Sequence, residues 1–282
     1  MTTETNNHTI GIIAGAGSFP IDVAKEAHRL GLRVVAIGLE GWVDARLSEH
    51  ADTFEQVPIG QLGRLFDRFA AHHVRQAVMA GKVTKEVLFD PRVEFDAEAL
   101  QVLEQVKEFS VNGLLGAIAD RLAGRGVTLL DSSTFLRHQL CPTGVLTVRQ
   151  PSPEERVDVD MGTDAARQMA TLDVGQTVVV RRKVIVAVEA LEGTDAAIQR
   201  AGQLAGAGCV VVKMASRTQD RRFDLPVLGL RTIDVASAAG VSCLAVQAGS
   251  TLLLDKTALI EQANRHQLCL VGIEPADPSA AR

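Results

Sequence analysis

Two stretches of the chain crowd chemically active side chains against residues that end regular structure. In "VVKMASRTQDRRFDLPVLG" Lys213 closes an apolar run, Arg217, Gln219, Asp220, Arg221, Arg222 and Asp224 follow, and Pro226 denies further regular structure. In "AVEALEGTDAAIQR" Glu189 and Glu192 end another apolar run, Gly193 turns the chain, and Thr194 and Asp195 enter a helical pattern. Both loops follow strands, and open α/β sheets bind ligands at the carboxyl ends of their strands. Together they offer cations for phosphate and carboxylates for a metal ion or a water, the two kinds of group that hydrolytic phosphorus chemistry needs. Taken singly, each also has a plain structural account: Thr194 or Asp195 can cap the helix, and a charged loop can simply be solvated.

A third candidate is "GAGSFP", where Gly15, Gly17 and Ser18 present backbone N–H groups at the mouth of a helix. Unpaired donors and the helix dipole suit that position to a phosphate. Pro20 stands where a dinucleotide fingerprint has its third glycine, and Glu40 falls near the position of a ribose contact. Phosphate binding, an NAD site and an ordinary tight turn all remain open on these residues. His72 and His73 fall at a helix end and His138 and His266 stand singly, which suits capping and surface roles better than ligation. No G-x-S-x-G, HExxH or Walker A sequence occurs, and "DSS" at 131–133 has no partner that the sequence identifies.

The elements that must position these residues follow from the apolar pattern. "TIGIIAGAGSFPIDVAKEAHRLGLRVVAIGL" reads strand, glycine turn, helix, strand, a βαβ unit with Pro20 in the first helical turn. A helix "LGRLFDRFAAHHV", a strand "QAVMAGKV", helices near 96–108 and 111–123, and a strand "VTLLDSS" continue it. This alternation predicts a doubly wound parallel sheet over residues 1–140. "QLCPTGVLTVRQPSPEE" keeps neither period, so 141–155 is expected to be a linker. Residues 156–282 are expected to form a second α/β domain, with "QTVVVRRKVIVAVEA" as two strands joined at Arg181 and Arg182, and with "CVVVKMA", "SCLAVQAG", "TLLLDK" and "LCLVGIE" as further strands.

A chain of 282 residues, 46% of them hydrophobic, is long enough to bury a core in each domain. A net charge of −5 and the lack of any dense basic block argue against nucleic acid as a partner. The four cysteines are far apart and match no zinc spacing, so they are expected as reduced, mostly buried thiols. The polar start "MTTETNNHT" lacks the pattern of a signal peptide, and no apolar run reaches the length of a membrane span; a cytoplasmic protein is expected.

"GIIAGAGSFP", "AGKV" at 80–83, "LDVGQTVVV" at 172–180, "VAVEALEGTDAAIQR" at 186–200 and "VVKMASRTQDRRFDLPVLGLRTI" at 211–233 together resemble the LpxI-type UDP-2,3-diacylglucosamine pyrophosphatases of lipid A biosynthesis. The resemblance covers nearly the whole chain. It implies an N-terminal Rossmann-like domain, a C-terminal α/β domain, an acylated sugar held between them, and a homodimer. It also implies a divalent cation of the magnesium kind, products UMP and 2,3-diacylglucosamine 1-phosphate, and contact with the inner-membrane surface through the lipid substrate. The family's essential aspartate lies in an R-x-D-L/V-P motif, which here makes it Asp224.

On that reading Asp224 is catalytic, Lys213 and Arg222 offset charge in the transition state, and Asp195, Glu189 and Asp224 are the candidate metal ligands. Gly15, Gly17, Ser18, Thr194 and Gln219 are the candidate substrate contacts. Two departures stand out: Val111 and Asn112 replace an aspartate pair usual in the family, and Ala215–Ser216–Arg217 replaces Ala-Lys-Pro. These departures motivate one alternative, a non-catalytic or changed-substrate homologue. The first βαβ unit with Glu40 motivates another, an NAD-dependent oxidoreductase.

Overall fold

The computed structural model describes residues 8–83, 87, 90–106, 111–215, 220–223 and 225–274, with 111 and 112 described as backbone only. The chain divides into two compact units. One comprises Met1–Leu136 with Asp220–Asp224, the other Arg137–Gln219 with Leu225–Arg282.

In the first unit, strand β1 (Thr9–Ala14) leads through the glycine turn into helix α1 (Phe19–Arg29) and strand β2 (Arg33–Leu39). Strand β3 (Thr53–Val57), helix α2 (Leu62–Ala71), strand β4 (Gln76–Ala80), helices α3 (Ala97–Gln105) and α4 (Val111–Gly124), and the short strand β5 (Thr128–Leu129) complete it. The strands lie in the order β3-β2-β1-β4-β5, all parallel, as the alternation predicts. β1 is central, and all but the first of its residues are buried, as expected for a strand covered on both faces. Pro20 sits in the first turn of α1 with Asp22, and His28 and Arg29 in its last, an arrangement that suits the helix dipole. Phe66, Phe69, Val35, Ile37, Ala119 and Leu122 form a core on one face of this sheet.

The second unit is built on a mixed six-stranded sheet. Strand β6 (Gly144–Val145) opens it, and helix α5 (Pro153–Thr171) is followed by strands β7 (Thr177–Arg181) and β8 (Val184–Val188). Helix α6 (Thr194–Ala205), strand β9 (Cys209–Lys213), strand β10 (Val227–Leu228), helix α7 (Leu230–Ala238) and strand β11 (Val241–Gln247) come next. Strand β12 (Leu252–Leu253), helix α8 (Lys256–Arg265) and strand β13 (Cys269–Ile273) end the unit. The order is β6-β13-β11-β9-β7-β8; β9, β11 and β13 run parallel, and β6 and β7 pair antiparallel with their neighbours.

Alternation sorts the strand residues between two faces. Val179, Val211, Leu244 and Leu270 meet Ile198, Ile233 and Leu259 from α6, α7 and α8. Val178, Val180, Val210, Val212, Cys243 and Cys269 share the other face with Val159 and Ala166 of α5. The four cysteines are buried free thiols.

Three expectations need correction. The 141–155 stretch is not a bare linker: β6 pairs with β13, and Ser152 and Glu155 form a capping box that starts α5. The β7–β8 turn is Arg182–Lys183, not Arg181–Arg182; both residues have positive φ, and the Asp158 carboxylate takes their N–H groups at 2.8 and 2.7 Å. That carboxylate meets donors the tight turn leaves unpaired. "TLLLDK" supplies only β12, which pairs with β10 in a separate two-stranded sheet.

Helix α5 lies close on the sheet because Gly162 leaves room: a Cβ there would stand 2.5 Å from Val212 Cγ2. Gly162→Leu is expected to cost about 1–3 kcal/mol of stability through overpacking, read by urea unfolding. An unchanged midpoint would mean that α5 is not held at that distance.

Candidate active site

Lys213 ends β9, a strand buried along its whole length, and is itself only 9% exposed. An amine at such a position needs an acceptor, because burying it unpaired costs far more than the bond it would make. Thr194 supplies that acceptor: Lys213 Nζ donates to Thr194 Oγ1 at 2.8 Å. The Thr194 hydroxyl in turn donates to Glu189 Oε1 at 2.9 Å. Thr177 faces Lys213 across the β7–β9 ladder, and its hydroxyl lies 3.4 Å from that of Thr194. The Glu189 N–H donates to the Thr177 carbonyl, which ties the loop after β8 to the start of β7. Glu189 Oε2 is buried and has no hydrogen-bond partner among the described residues.

Lysine, threonine and glutamate thus meet at the carboxyl end of β9, where the "EGTD" turn feeds α6. Sequence reasoning placed Lys213, Thr194 and Glu189 in two loops, and the fold makes them one chain of contacts. It missed Thr177, whose only signal was a polar residue at the head of an apolar run. Asp195 points elsewhere. Its Oδ1 accepts from Thr232 Oγ1 at 3.0 Å and its Oδ2 pairs with Arg231 at 3.1 Å, so it joins α6 to α7 rather than extending the cluster.

In the first unit, the carboxyl edge of the parallel sheet carries the other candidates. Gly15 is packed against β4 and the loop after it. Its N–H donates to the Ala80 carbonyl at 2.8 Å, and a Cβ on it would come within 2.8 Å of the Lys82 carbonyl oxygen. The N–H of Gly15 is therefore spent on the backbone and not on a ligand. Gly17, at φ 95°, and Ser18 are exposed, and Ser18 makes no side-chain cap. Glu40 lines a cavity of about 700 Å³ beyond β2 and β3, with Trp42, Gln61, Arg64 and Arg92.

Residues 220–223 belong to this same edge. Arg222 forms a two-pronged pair with Asp220, its Nε at 2.9 Å and its Nη2 at 2.5 Å from Asp220 Oδ2. The Arg222 hydrogen bond holds the Asp220 carboxyl below the usual carboxylate range, against a smaller effect of burial. Arg222 is thus engaged within its own loop. The "DSS" segment, which had no partner on sequence grounds, supplies the contacts of that loop. Arg221 Nε donates to Asp131 Oδ2 at 2.8 Å, and Ser132 N donates to the Arg221 carbonyl at 2.9 Å. Burial alone would push the Asp131 carboxyl up, but hydrogen bonds from Ser133 and Arg221 outweigh it and hold the carboxyl below its ordinary value. Asp224, Gln219 and Arg217 lie outside the described residues, as do the side chains of Val111 and Asn112, the first two residues of α4.

His72 caps α2 and bonds Glu55 at 2.7 Å, while His266 caps α8. Among the described residues no three His, Cys, Asp or Glu side chains come together in the manner of a metal cage. A magnesium-type ion needs no cage, since it keeps waters and takes one or two carboxylates with substrate phosphates. The unpartnered Glu189 oxygen fits such a ligand, whereas both Asp195 oxygens are engaged with α7.

Comparison with known proteins finds matches on both halves of the chain. Residues 9–139 match the LpxI N-terminal domain model and residues 142–271 the LpxI C-terminal domain model. The chain is 30% identical over 280 residues to the UDP-2,3-diacylglucosamine pyrophosphatase LpxI of Caulobacter vibrioides, covering 95% of this chain and 98% of that protein. Among solved structures, the biotin carboxylase domain of Hydrogenobacter thermophilus 2-oxoglutarate carboxylase aligns at 14% identity, over 62% of this chain and 35% of that one, with a TM-score of 0.26.

Thr194→Val removes the acceptor of Lys213 and the donor to Glu189 together. It is expected to cost about 1–3 kcal/mol in urea unfolding, with Thr194→Ser close to wild type. Equal stabilities for Val and Ser would show that the hydroxyl is not what satisfies the lysine.

Proposed function

Since the chain belongs to the LpxI family, we propose that it hydrolyses the pyrophosphate of UDP-2,3-diacylglucosamine to UMP and 2,3-diacylglucosamine 1-phosphate in lipid A biosynthesis. The observation that carries this reading is the match of both family models, one after the other, along nearly the whole chain. The geometry fits it: a buried lysine aimed by a threonine, with a glutamate beside it, is suited to phosphate.

Water is the second reactant, and the reaction cleaves one P–O bond. Negative charge grows on the bridging oxygen as that bond breaks, and a fixed cation lowers the barrier because it needs no reorganisation at that moment. We assign that role to Lys213, which Thr194 orients. Arg222 ranks behind it, because Asp220 already neutralises the guanidinium. Asp224, by its place in the "RFDLP" motif, is assigned as general base or metal ligand. Glu189 is the described carboxylate that would hold a magnesium-type cation. When bound, such a cation supplies charge at the phosphate oxygens and eases deprotonation of the attacking water.

Gly17 and Ser18 carry the proposed contact of the first unit with the nucleotide or a phosphate. The reading extends to a cytoplasmic homodimer that meets the membrane surface through its acylated substrate. Among the described residues no helix is long and apolar enough to cross a membrane.

Purified protein is expected to release UMP from UDP-2,3-diacylglucosamine in the presence of magnesium and to stop when EDTA is added. No release by folded protein under a range of divalent metals would overturn the pyrophosphatase reading. Asp224→Ala is expected to lower kcat by at least about 100-fold with little change in KM, the pattern of a group that acts in the transition state. An unchanged kcat would remove Asp224 from the mechanism.

A further inference from the structure

The segment that leads into Asp224 is anchored by residues distant in sequence. The chain on either side of 220–224 belongs to the second unit, yet these five residues group with the first. Several contacts tie the segment down there. The Arg221 guanidinium reaches Asp131 Oδ2 at 2.8 Å and Ser133 Oγ at 3.3 Å. The Ser132 N–H donates to the Arg221 carbonyl at 2.9 Å. The Ser132 hydroxyl lies 2.8 Å from two carbonyl oxygens, that of Arg222 and that of Met79 in β4, so its single proton bridges the loop to the sheet. Phe223 packs on the core of the first unit, as Met79 does.

The anchor is itself held rigid. Ser133 donates to Asp131 Oδ1 through both its N–H, at 2.7 Å, and its hydroxyl, at 2.6 Å, which leaves Oδ2 turned to Arg221. Ser132 and Ser133 are 2% and 0% exposed. The ion pair they aim is not buried: the Arg221 and Asp131 side chains are 40% and 27% exposed. A pair this open to solvent contributes modestly to stability. What it does do is fix where the backbone of 221–223 lies, one residue short of Asp224.

We propose that Asp131 is a positioning residue for the hydrolysis: through Arg221 it holds the 220–223 segment, which immediately precedes Asp224 in the chain, at the carboxyl edge of the parallel sheet. This rests on the pyrophosphatase reading and on Asp224 acting in it. Misplacement of a reacting group by about 1 Å can cost on the order of 100-fold in rate, so a contact of small energetic weight can have a large kinetic one.

The test combines kinetics with a readout that does not need activity. Asp131→Asn is expected to lower kcat about 10- to 100-fold, assayed well below its Tm, with KM little changed. Arg221→Gln is expected to do the same, and the double variant to lose no more than the worse single, since both cut one contact. In an Asp224→Ala background, Asp131→Asn is expected to add nothing. Amide hydrogen exchange in 216–224 is expected to speed up in Asp131→Asn while β1 and β4 exchange as in wild type.

Unchanged kcat in Asp131→Asn, or additive losses in the double variant, would overturn the positioning role. If the wild-type protein released no UMP, the function reading would fall, and the exchange measurement would still decide whether Asp131 holds the segment. Unchanged exchange there would overturn the proposal whatever the activity. Should Asp131→Asn fail to fold, Arg221→Gln carries the same test from the exposed partner.

Discussion

A lysine at the end of a buried strand must find an acceptor, and much of the second unit is arranged to provide one. The apolar run of β9 brings Lys213 into the interior at the strand's last residue. Thr177, opposite it in the ladder, adds a second hydroxyl at that level of the sheet. The antiparallel return of β8 then brings Glu189 back to the Thr177 carbonyl, and the turn into α6 puts Thr194 between glutamate and lysine. Each step is ordinary strand pairing or helix initiation. Their sum is a polar chain in an apolar setting, where an electrostatic contact is stronger than in water and an unmet one costs more.

The first unit solves a different problem. Its sheet places β1 at the centre, with β2 on one side and β4 on the other, so the chain order reverses about β1, the point at whose carboxyl edge open α/β sheets bind ligands. Backbone approaches backbone there: the 15–16 turn exchanges hydrogen bonds with Ala80 and Lys82, and Gly15 and Gly81 leave no room for a Cβ on either side. That contact closes one part of the edge and leaves Gly17 and Ser18 open. The "DSS" segment after β5 holds the returning 220–223 segment to the same edge. Asp220 and Asp131 divide two arginines between them, which accounts for much of the charge crowded before Pro226.

The two family models meet near residue 140, close to the boundary of the compact units at Leu136 and Arg137. The 220–224 segment is the exception, inside the C-terminal family model by sequence and grouped with the N-terminal unit in space. The "RFDLP" motif begins in that segment, at Arg222. The two departures from the family pattern, at Val111–Asn112 and at 215–217, fall at or beside stretches outside the described residues, and the lysine cluster forms without them.

Local pattern was enough for the βαβ unit, for the parallel order it implies, and for the strands on which Lys213 and Glu189 end, because side-chain periodicity and the placement of Pro20 act within a few residues. It was enough, too, for the resemblance carried by "EGTD" and "RFDLP". It misjudged 141–155, since β6 is two residues long and exists only through pairing with β13. It put the β7–β8 turn one residue early, because two basic residues at positive φ leave no glycine to mark it; the Asp158 carboxylate that supports the turn comes from α5. It left "DSS" without a role because the partner of Asp131 is 90 residues away. Sequence alone named the candidate residues and the strands and helices that carry or adjoin Lys213, Glu189 and Thr194. Tertiary structure alone decided that Thr194 joins Lys213 to Glu189, that Asp195 serves α7 instead, and that Arg222 is taken by Asp220. Those choices depend on distances set by packing between elements far apart in the chain, and no local pattern encodes such distances.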